Sequence, residues 1–363
     1  MNSILKQLQD PKSFQTYIDE YMKTSTYTAE WKKEMKPVEY CAAKVYQANI
    51  AKYAAAMVGS VVAKNGERPL HTMPDWGQIT GSIGRIADEW ELDNDYLEQM
   101  HYLEGKFKDM SGSNYTQSVL NAAYDKLITY SFRPFERAVI APHKRIDMLY
   151  FEGLFKGTQT VSRTNNAKAN VSYTFNLGVN QISATTNWGQ ANATPIKDIK
   201  KLKDEAKKKG RKILRIRMSE NTFYAMCQAQ ELKDTFKLNL GTIQVNPTAP
   251  MLSVEQVNIY LRSVLLPTIQ IDEDKFVELP NGTNYNLIPD NRVVAMCAEK
   301  VAVPKCAQAL EAVDPIEGVS YSTYDDNLIG YWRDKTGYHL TNEMWMQPVF
   351  DGIDDFIILK VGD

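Results

Sequence analysis

The chain has 363 residues, and its 42 Lys and Arg against 44 Asp and Glu leave a formal charge of −2. That balance excludes a dedicated nucleic-acid binder, which draws its affinity from a basic surplus that neutralises phosphate. Apolar residues at 44% and charged residues at 24% exclude a disordered chain, and the length suits two or so domains whose cores need no metal or disulfide.

Residues 1–39 combine a short amphipathic stretch (Phe14, Ile18, Tyr21, Met22) with Lys- and Glu-rich sequence around Trp31, and read as an arm with little core of its own. Residues 1–21 lack the basic start and apolar centre of a signal peptide, so secretion is not expected. From Tyr40 to about Trp90 helical period is lost, while Asn65-Gly66 and residues 69–77 supply turn chemistry, which suggests an extended hairpin. The longest apolar run, residues 53–62, contains Gly59 and Ser60 and is about half a membrane span, so no membrane partner is expected. Residues 93–110 are charged and aromatic and end at the breaker Ser111-Gly112-Ser113.

A helical period opens at Asn114, with Val119, Leu120, Ala123, Leu127 and Ile128 at three- and four-residue steps. Pro134 and Pro142 are expected to interrupt it. Pro142 suits the first turn of a second helix that carries Ile146, Leu149, Gly153 and Leu154 and stops at Gly157. The period then changes to two, and Val171, Tyr173 and Phe175 predict a strand with one buried face. Thr194-Pro195 predicts a hydroxyl-capped helix with Ile196, Ile199, Leu202 and Ala206 as its buried stripe and Gly210 as its stop. Residues 212–218 read as a strand, and Ser219 as the cap of a helix with Phe223, Met226 and Cys227 inward. Strand, turn and strand follow at residues 268–271, Pro280-Asn281-Gly282 and residues 292–297. Phe356-Ile357-Ile358-Leu359 is short enough to be a buried strand. With no visible repeat of roughly 20–50 residues, the fold class is α+β with long irregular excursions.

Searching for chemistry returns absences. There is no Gly-rich phosphate loop, dinucleotide fingerprint or nucleophile elbow. Cys41, Cys227, Cys297 and Cys306 contain no C-x-x-C and read as small buried residues of a reduced compartment, so the sequons at Asn170 and Asn281 carry no glycosylation meaning. Of the isolated His71, His101, His143 and His339, only His101 has a neighbour, Glu104, at a spacing that could place two ligands together. Three carboxylate clusters, Asp272-Glu273-Asp274, Asp325-Asp326 and Asp354-Asp355, sit beside turn-like sequence and read as solvated loops. The lysine-rich residues 197–212 keep an intact apolar stripe and no interleaved aromatics, so they read as a solvated helix face rather than a nucleic-acid contact. Aromatics are spread through irregular parts: Trp31, Tyr53, Trp76, Trp90, Tyr102, Trp188, Trp332 and Trp345. An arm and an excursion that cannot bury such residues locally suggest burial completed against neighbours.

Over residues 171–237 the order of features is specific: VSYTFNLG, ATTNWG, ATPIKDIKKLKDEAKKKG, then KILRIRMSENTFYAMCQAQELKDTF. It resembles the central region of the major capsid protein E family of tailed bacteriophages, the lambda-like capsid proteins. The matching positions are Phe175, Gly178, Trp188, Pro195, Ile196, Asp198, Gly210, Met218 and Phe223. RIDMLYFEGLFKGTQTV upstream resembles the end of that family's long helix, and IPDNRVVAMCAEK and FIILKV its later strands.

The resemblance implies a Hong-Kong-97-type phage capsid fold. It places an N-terminal arm at 1–39, an extended-loop region at 40–113, a peripheral domain with the long helix at 114–187, an axial domain at 188–317 and C-terminal return strands at 318–363. It implies a structural protein with no catalytic, cofactor or metal site. Its partners would be copies of itself in hexamers and pentamers, scaffolding, portal and decoration proteins, and packaged DNA by non-specific contact. It would reside in the virion after assembly in the host cytoplasm. An encapsulin-like nanocompartment shell protein shares the fold, and an enzyme with a site of scattered carboxylates or a tail or scaffolding component stand as further alternatives.

Overall fold

The computed structural model describes residues 4–25, 27–50, 77–166, 171–239, 252–335 and 337–362. Tyr53, His71, Trp76, Asn170 and the turn signals Asn65-Gly66 and 69–76 lie outside the described residues.

The amphipathic stretch forms the helix Pro11–Thr24, started by Asp10, whose carboxylate accepts the Ser13 N–H at 2.9 Å, and by Pro11 in the first turn. Phe14, Ile18 and Met22 line its buried face, with the Phe14 ring 5.7 Å from Phe135 and 5.8 Å from Tyr331. Residues 93–110 are helical: Asn94–Ser111 is capped by Asp93 through the Tyr96 N–H. This helix packs against the long helix Gln117–Lys156, with Tyr96 stacked on Tyr130.

The two prolines correct the sequence expectation. Gln117–Lys156 is one helix of 40 residues with Pro134 and Pro142 inside it. A proline removes the N–H that would bond the carbonyl four residues earlier, so the helix persists where something else takes that carbonyl. For Pro142 the orphan is Ala138 O. It accepts both Asn342 Nδ2–H at 2.9 Å and Asn327 Nδ2–H at 3.0 Å, and Asn327 also reaches Val139 O at 3.2 Å. Both asparagines are buried. Near Pro134, whose orphaned carbonyl is Tyr130 O, the Tyr96 hydroxyl donates to the adjacent Ser131 O at 2.8 Å. Gly157, left-handed at φ 70°, ends the helix as expected.

The long helix crosses two cores. Leu127, Phe132, Phe135, Ala138 and Val139 pack with Phe14, Ile18, Tyr331 and Leu340. Residues 146–155, buried all round, pack with Phe350, Phe356 and Ile358. Pro142 falls between them.

A five-stranded sheet runs in the order Gln181–Ser183, Phe356–Lys360, Arg292–Met296, Arg215–Ser219, Ile269–Asp272. Its central strands are buried on both faces. Val294, Met296, Phe356 and Ile358 face the long-helix core. Val293, Ala295, Ile357, Leu359, Ile216 and Met218 face a third core under the helices Pro195–Lys208, Glu220–Gln228 and Val254–Ser263. Two buried faces explain the unbroken apolar run of Phe356-Ile357-Ile358-Leu359.

In the second sheet Tyr338–Val349 pairs with Arg85–Leu92, Asn327–Arg333 and Val303–Ala307. Val45–Ile50 and Gly77–Ser82 pair as an antiparallel hairpin, in line with the excursion expected there. The strand expected at 171–175 is Tyr173–Asn176, but Val171 and Tyr173 are exposed, because its partner is a single strand, Thr158–Val161, rather than a covered sheet.

Asn342 should therefore carry more than its own packing. Replacing it by Leu removes a donor to Ala138 O and the acceptor of the Asp88 N–H (2.8 Å). The expected cost is ~1–3 kcal/mol, read as a lowered urea midpoint at unchanged slope.

Candidate functional site

The residues singled out for chemistry are consumed by structural contacts. His101 is exposed and lies 3.8 Å from Glu104, whose carboxylate accepts the Ile4 N–H. No group of three His, Cys, Asp or Glu side chains suited to a metal ion occurs among the described residues. The carboxylate clusters are only partly solvated, which corrects the reading from their polar flanks. Asp272 is buried against Arg217, at 2.8 and 3.0 Å. Asp354 and Asp355 pair with Lys209 and Arg211. Asp325 pairs with Lys32, and Asp326 accepts the Tyr40 hydroxyl. A groove of about 620 Å³ crosses the outer face of the second sheet, but its polar groups hold one another: Arg85 and Trp345 bond Glu343, and Tyr321 bonds Glu311. No nucleophile with an adjacent base stands there.

The feature that organises the molecule lies in the arm. Residues 30–41 form a strap laid across the long helix and both sheets. The short helix Glu30–Glu34 buries Trp31, and Met35 follows it into the same core. Asp147 of the long helix accepts the Trp31 N–H at 2.7 Å, and His143 Nδ1 accepts the Trp31 indole N–H at 3.3 Å. Further along, the Lys36 N–H bonds Ala302 O, and Glu39–Tyr40 adds a short parallel strand beside Lys305 and Cys306.

Every charged residue of the strap except Lys33, which pairs with Glu30, reaches a different element. Glu30 pairs with Lys275, Lys32 with Asp325, Glu34 with Arg217, Lys36 with Asp351 and Glu39 with Lys305. Arg217 is the buried member, 1% exposed, with its guanidinium shared between Glu34 (2.5 and 3.0 Å) and Asp272. A planar fork of five donors suits this two-carboxylate grip. Sequence reading missed the strap. Its signal was the alternation of sign in EWKKEMKPVE, together with an arginine inside the apolar strand RIRMS.

The aromatics divide. Trp31 and Trp188 are buried in this chain, Trp90, Trp332 and Trp345 are half-buried, and Tyr102 faces outward at 61%. Apolar residues are also presented at Ile259, Val264 and Leu265, and at Leu310, Val313 and Ile316, each more than two fifths exposed.

The sequence profile of phage major capsid protein E matches residues 148–307. The match spans less than half of the chain, and over it the chain is similar to that family. Its role is structural, that of a major capsid protein. Among solved structures it is similar to a candidate capsid protein of a prophage of E. coli CFT073, with 13% identity, 96% of this chain and 99% of that chain covered, and a TM-score of 0.56. It is also similar to the capsid of cyanophage A-1(L), with 12% identity, 93% and 95% covered and a TM-score of 0.48. The capsid of Myoviridae phage XM1 matches with 13% identity, 88% and 86% covered and a TM-score of 0.44. The prophage protein shows the shared fold, which is the Hong-Kong-97-type capsid fold. No curated protein sequence matches the chain.

Within the capsid-protein region the quoted motif residues meet. Trp188 is fully buried and donates its indole N–H to Asp198 Oδ2 at 3.1 Å, and its backbone N–H bonds Val361 O. Pro195 starts the helix as expected, but the Thr194 hydroxyl makes no cap. The first-turn N–H of Ile196 goes instead to Glu231 Oε2 at 2.8 Å, from a later helix. Gly210, at φ 68°, terminates the helix, and the Ser219 hydroxyl accepts the Thr222 N–H. Among the lysines of the helix Lys208 pairs locally with Glu205, whereas Lys203 bonds the Leu265 carbonyl.

The seat of Trp31 titrates in two directions. Burial pushes the Asp147 carboxyl up to about 7, outweighing the N–H groups of Trp31 and Glu30, with Glu30 adding to the rise and Lys275 opposing it. Burial pushes His143 down to about 4, with Asp325 opposing and Lys32 assisting. A raised carboxyl means that the folded chain holds the extra proton, so this contribution to stability is lost as pH rises from about 4 to about 7. A depressed imidazole acts oppositely, and its contribution is lost as pH falls from about 6.5 to about 4. Urea midpoints measured across pH 4–7 should show Asp147→Asn losing stability on acidification relative to the parent and His143→Gln losing it on alkalinisation.

Proposed function

We propose that this chain is the repeating subunit of a phage head, with copies of itself assembling as hexamers and pentamers into an icosahedral shell around packaged DNA. The observation that carries the reading is the family profile over residues 148–307, and the shared fold with the prophage protein supports it. In this reading residues 1–39 are the arm, 40–113 the extended-loop region, 114–187 the peripheral domain, 188–317 the axial domain and 318–363 the return strands. Scaffolding, portal and decoration proteins are its further partners. The subunit is assembled in the host cytoplasm, resides in the virion and catalyses no reaction.

The physical case is one of complementary surfaces. The apolar residues at Leu310, Val313 and Ile316 are 55–66% exposed and cost free energy in an isolated chain. They gain burial against a neighbour at no cost to the fold. A formal charge of −2 leaves no strong attraction to packaged DNA and no large repulsion between copies.

Negative-stain microscopy and sedimentation of the purified protein should show closed shells or capsomer rings, and a uniformly monomeric species would overturn the reading. Nucleic acid inside the shells supports a phage head, whereas a protein cargo supports a nanocompartment. The triple variant Leu310→Ser, Val313→Ser and Ile316→Ser should lower the yield of shells while moving the urea midpoint by no more than ~0.5 kcal/mol of stability per residue, as surface changes do.

A further inference from the structure

We propose that residues 30–41 are a detachable strap whose register is written in its alternating charges, with buried Arg217 as the lock, and that the strap undocks as a unit while the cores beneath it stay folded.

The charges at Glu30, Lys32, Glu34 and Lys36 alternate in sign at a spacing of two, and each meets an opposite charge on a separate element. Displacing the strap by two residues in one direction would set Lys32 against Lys275, Glu34 against Asp325 and Lys36 against Arg217. In the other direction it would set Glu30 against Asp325, Lys32 against Arg217 and Glu34 against Asp351. Three of the four contacts become like-charge contacts either way, so the pattern disfavours the registers two residues away as well as favouring this one.

The pairs are unequal. The Lys36, Lys32 and Lys275 pairs have side chains roughly a third exposed, where solvent screens them. Arg217 and Asp272 are buried and Glu34 is half-buried, and a buried fork that has lost one partner is penalised far more than a surface pair. Holding strength therefore comes from Trp31 and Met35 entering the apolar core, and position comes from Arg217.

Detachment as a unit follows from how the strap is joined. Its backbone-to-backbone bonds to the body are few, Lys36 N–H to Ala302 O, Cys41 N–H to Cys306 O and the pairing of Glu39–Tyr40, and two side chains add to them, Asp147 accepting the Glu30 and Trp31 N–H groups and Lys300 donating to Met35 O. Residues 27–29 before it carry no regular structure, and the Glu39–Tyr40 strand contributes only two paired residues at a sheet edge. The long helix and the five-stranded sheet below hold each other through Tyr150, Phe151, Leu154, Phe350 and Phe356, none of which belongs to the strap. Segments joined to a folded body by few backbone bonds open at lower free energy than the body itself.

Hydrogen exchange read by mass spectrometry on the unassembled chain tests this. In the parent, residues 30–41 should exchange at least ~10-fold faster than residues 146–155. Lys36→Glu should speed 30–41 a further ~10-fold with 146–155 unchanged, and adding Asp351→Lys should bring it back to within about 3-fold of the parent. Arg217→Met should speed 30–41 more than Lys36→Glu does. Should that variant fail to fold, Glu34→Gln, which leaves Arg217 with Asp272, takes its place. Exchange of 30–41 and 146–155 at one common rate, a parent-like rate in Lys36→Glu, or no rescue by Asp351→Lys would each overturn the proposal. Shell formation does not enter the measurement, so failure to assemble would count against the proposed function and leave this inference standing.

Discussion

The structure depends on one sheet that has no outer face. The strands Phe356–Lys360 and Arg292–Met296 send alternate side chains into two different cores, one with the end of the long helix and one with the helices of residues 195–263. Because side chains alternate strictly along a strand, a slip of one residue would exchange the occupants of the two cores. The two halves of the molecule are thus specified by the same ten residues. A change at Ile357 acts on one half and a change at Ile358 on the other, although the two are adjacent in sequence.

That arrangement explains why an arginine is tolerated at the centre. Arg217 lies between Ile216 and Met218, which face the helices of residues 195–263, so its own side chain is directed to the long-helix side. On a solvated sheet it would reach water. Here it finds Asp272 from the neighbouring strand and Glu34 from a segment 183 residues away in sequence. The polar exception in the sheet becomes the point where the N-terminal residues are read.

Local features were legible in the sequence and long-range ones were not. The Phe14, Ile18 and Met22 stripe, the Gly157 and Gly210 stops, the Ser219 cap and the Phe356 strand each rest on neighbours within a few residues, and each is found. Pro142 misled because its cost was judged locally, while its relief comes from Asn327 and Asn342 about 190 and 200 residues later. Thr194 misled for the same reason, its role being taken by Glu231. Asp272 looked solvated beside acidic neighbours, but its partner is a strand distant in sequence. The family resemblance covered what local pattern could not, since the order of elements around Trp188 and Asp198 stores a contact that neither residue reveals alone.

The asparagine beneath Pro142 has two working ends. Asn342 donates to Ala138 O in the long helix and accepts from the Asp88 N–H in the strand that returns from the hairpin. An α-helix ordinarily sets its own curvature through its internal ladder. At this one turn the freed carbonyl is held by two side chains of the sheet, Asn327 and Asn342, and Asn342 also holds the strand Arg85–Leu92. The long helix and the strand Arg85–Leu92 therefore share Asn342 as a direct link, so a change at that amide is felt by both.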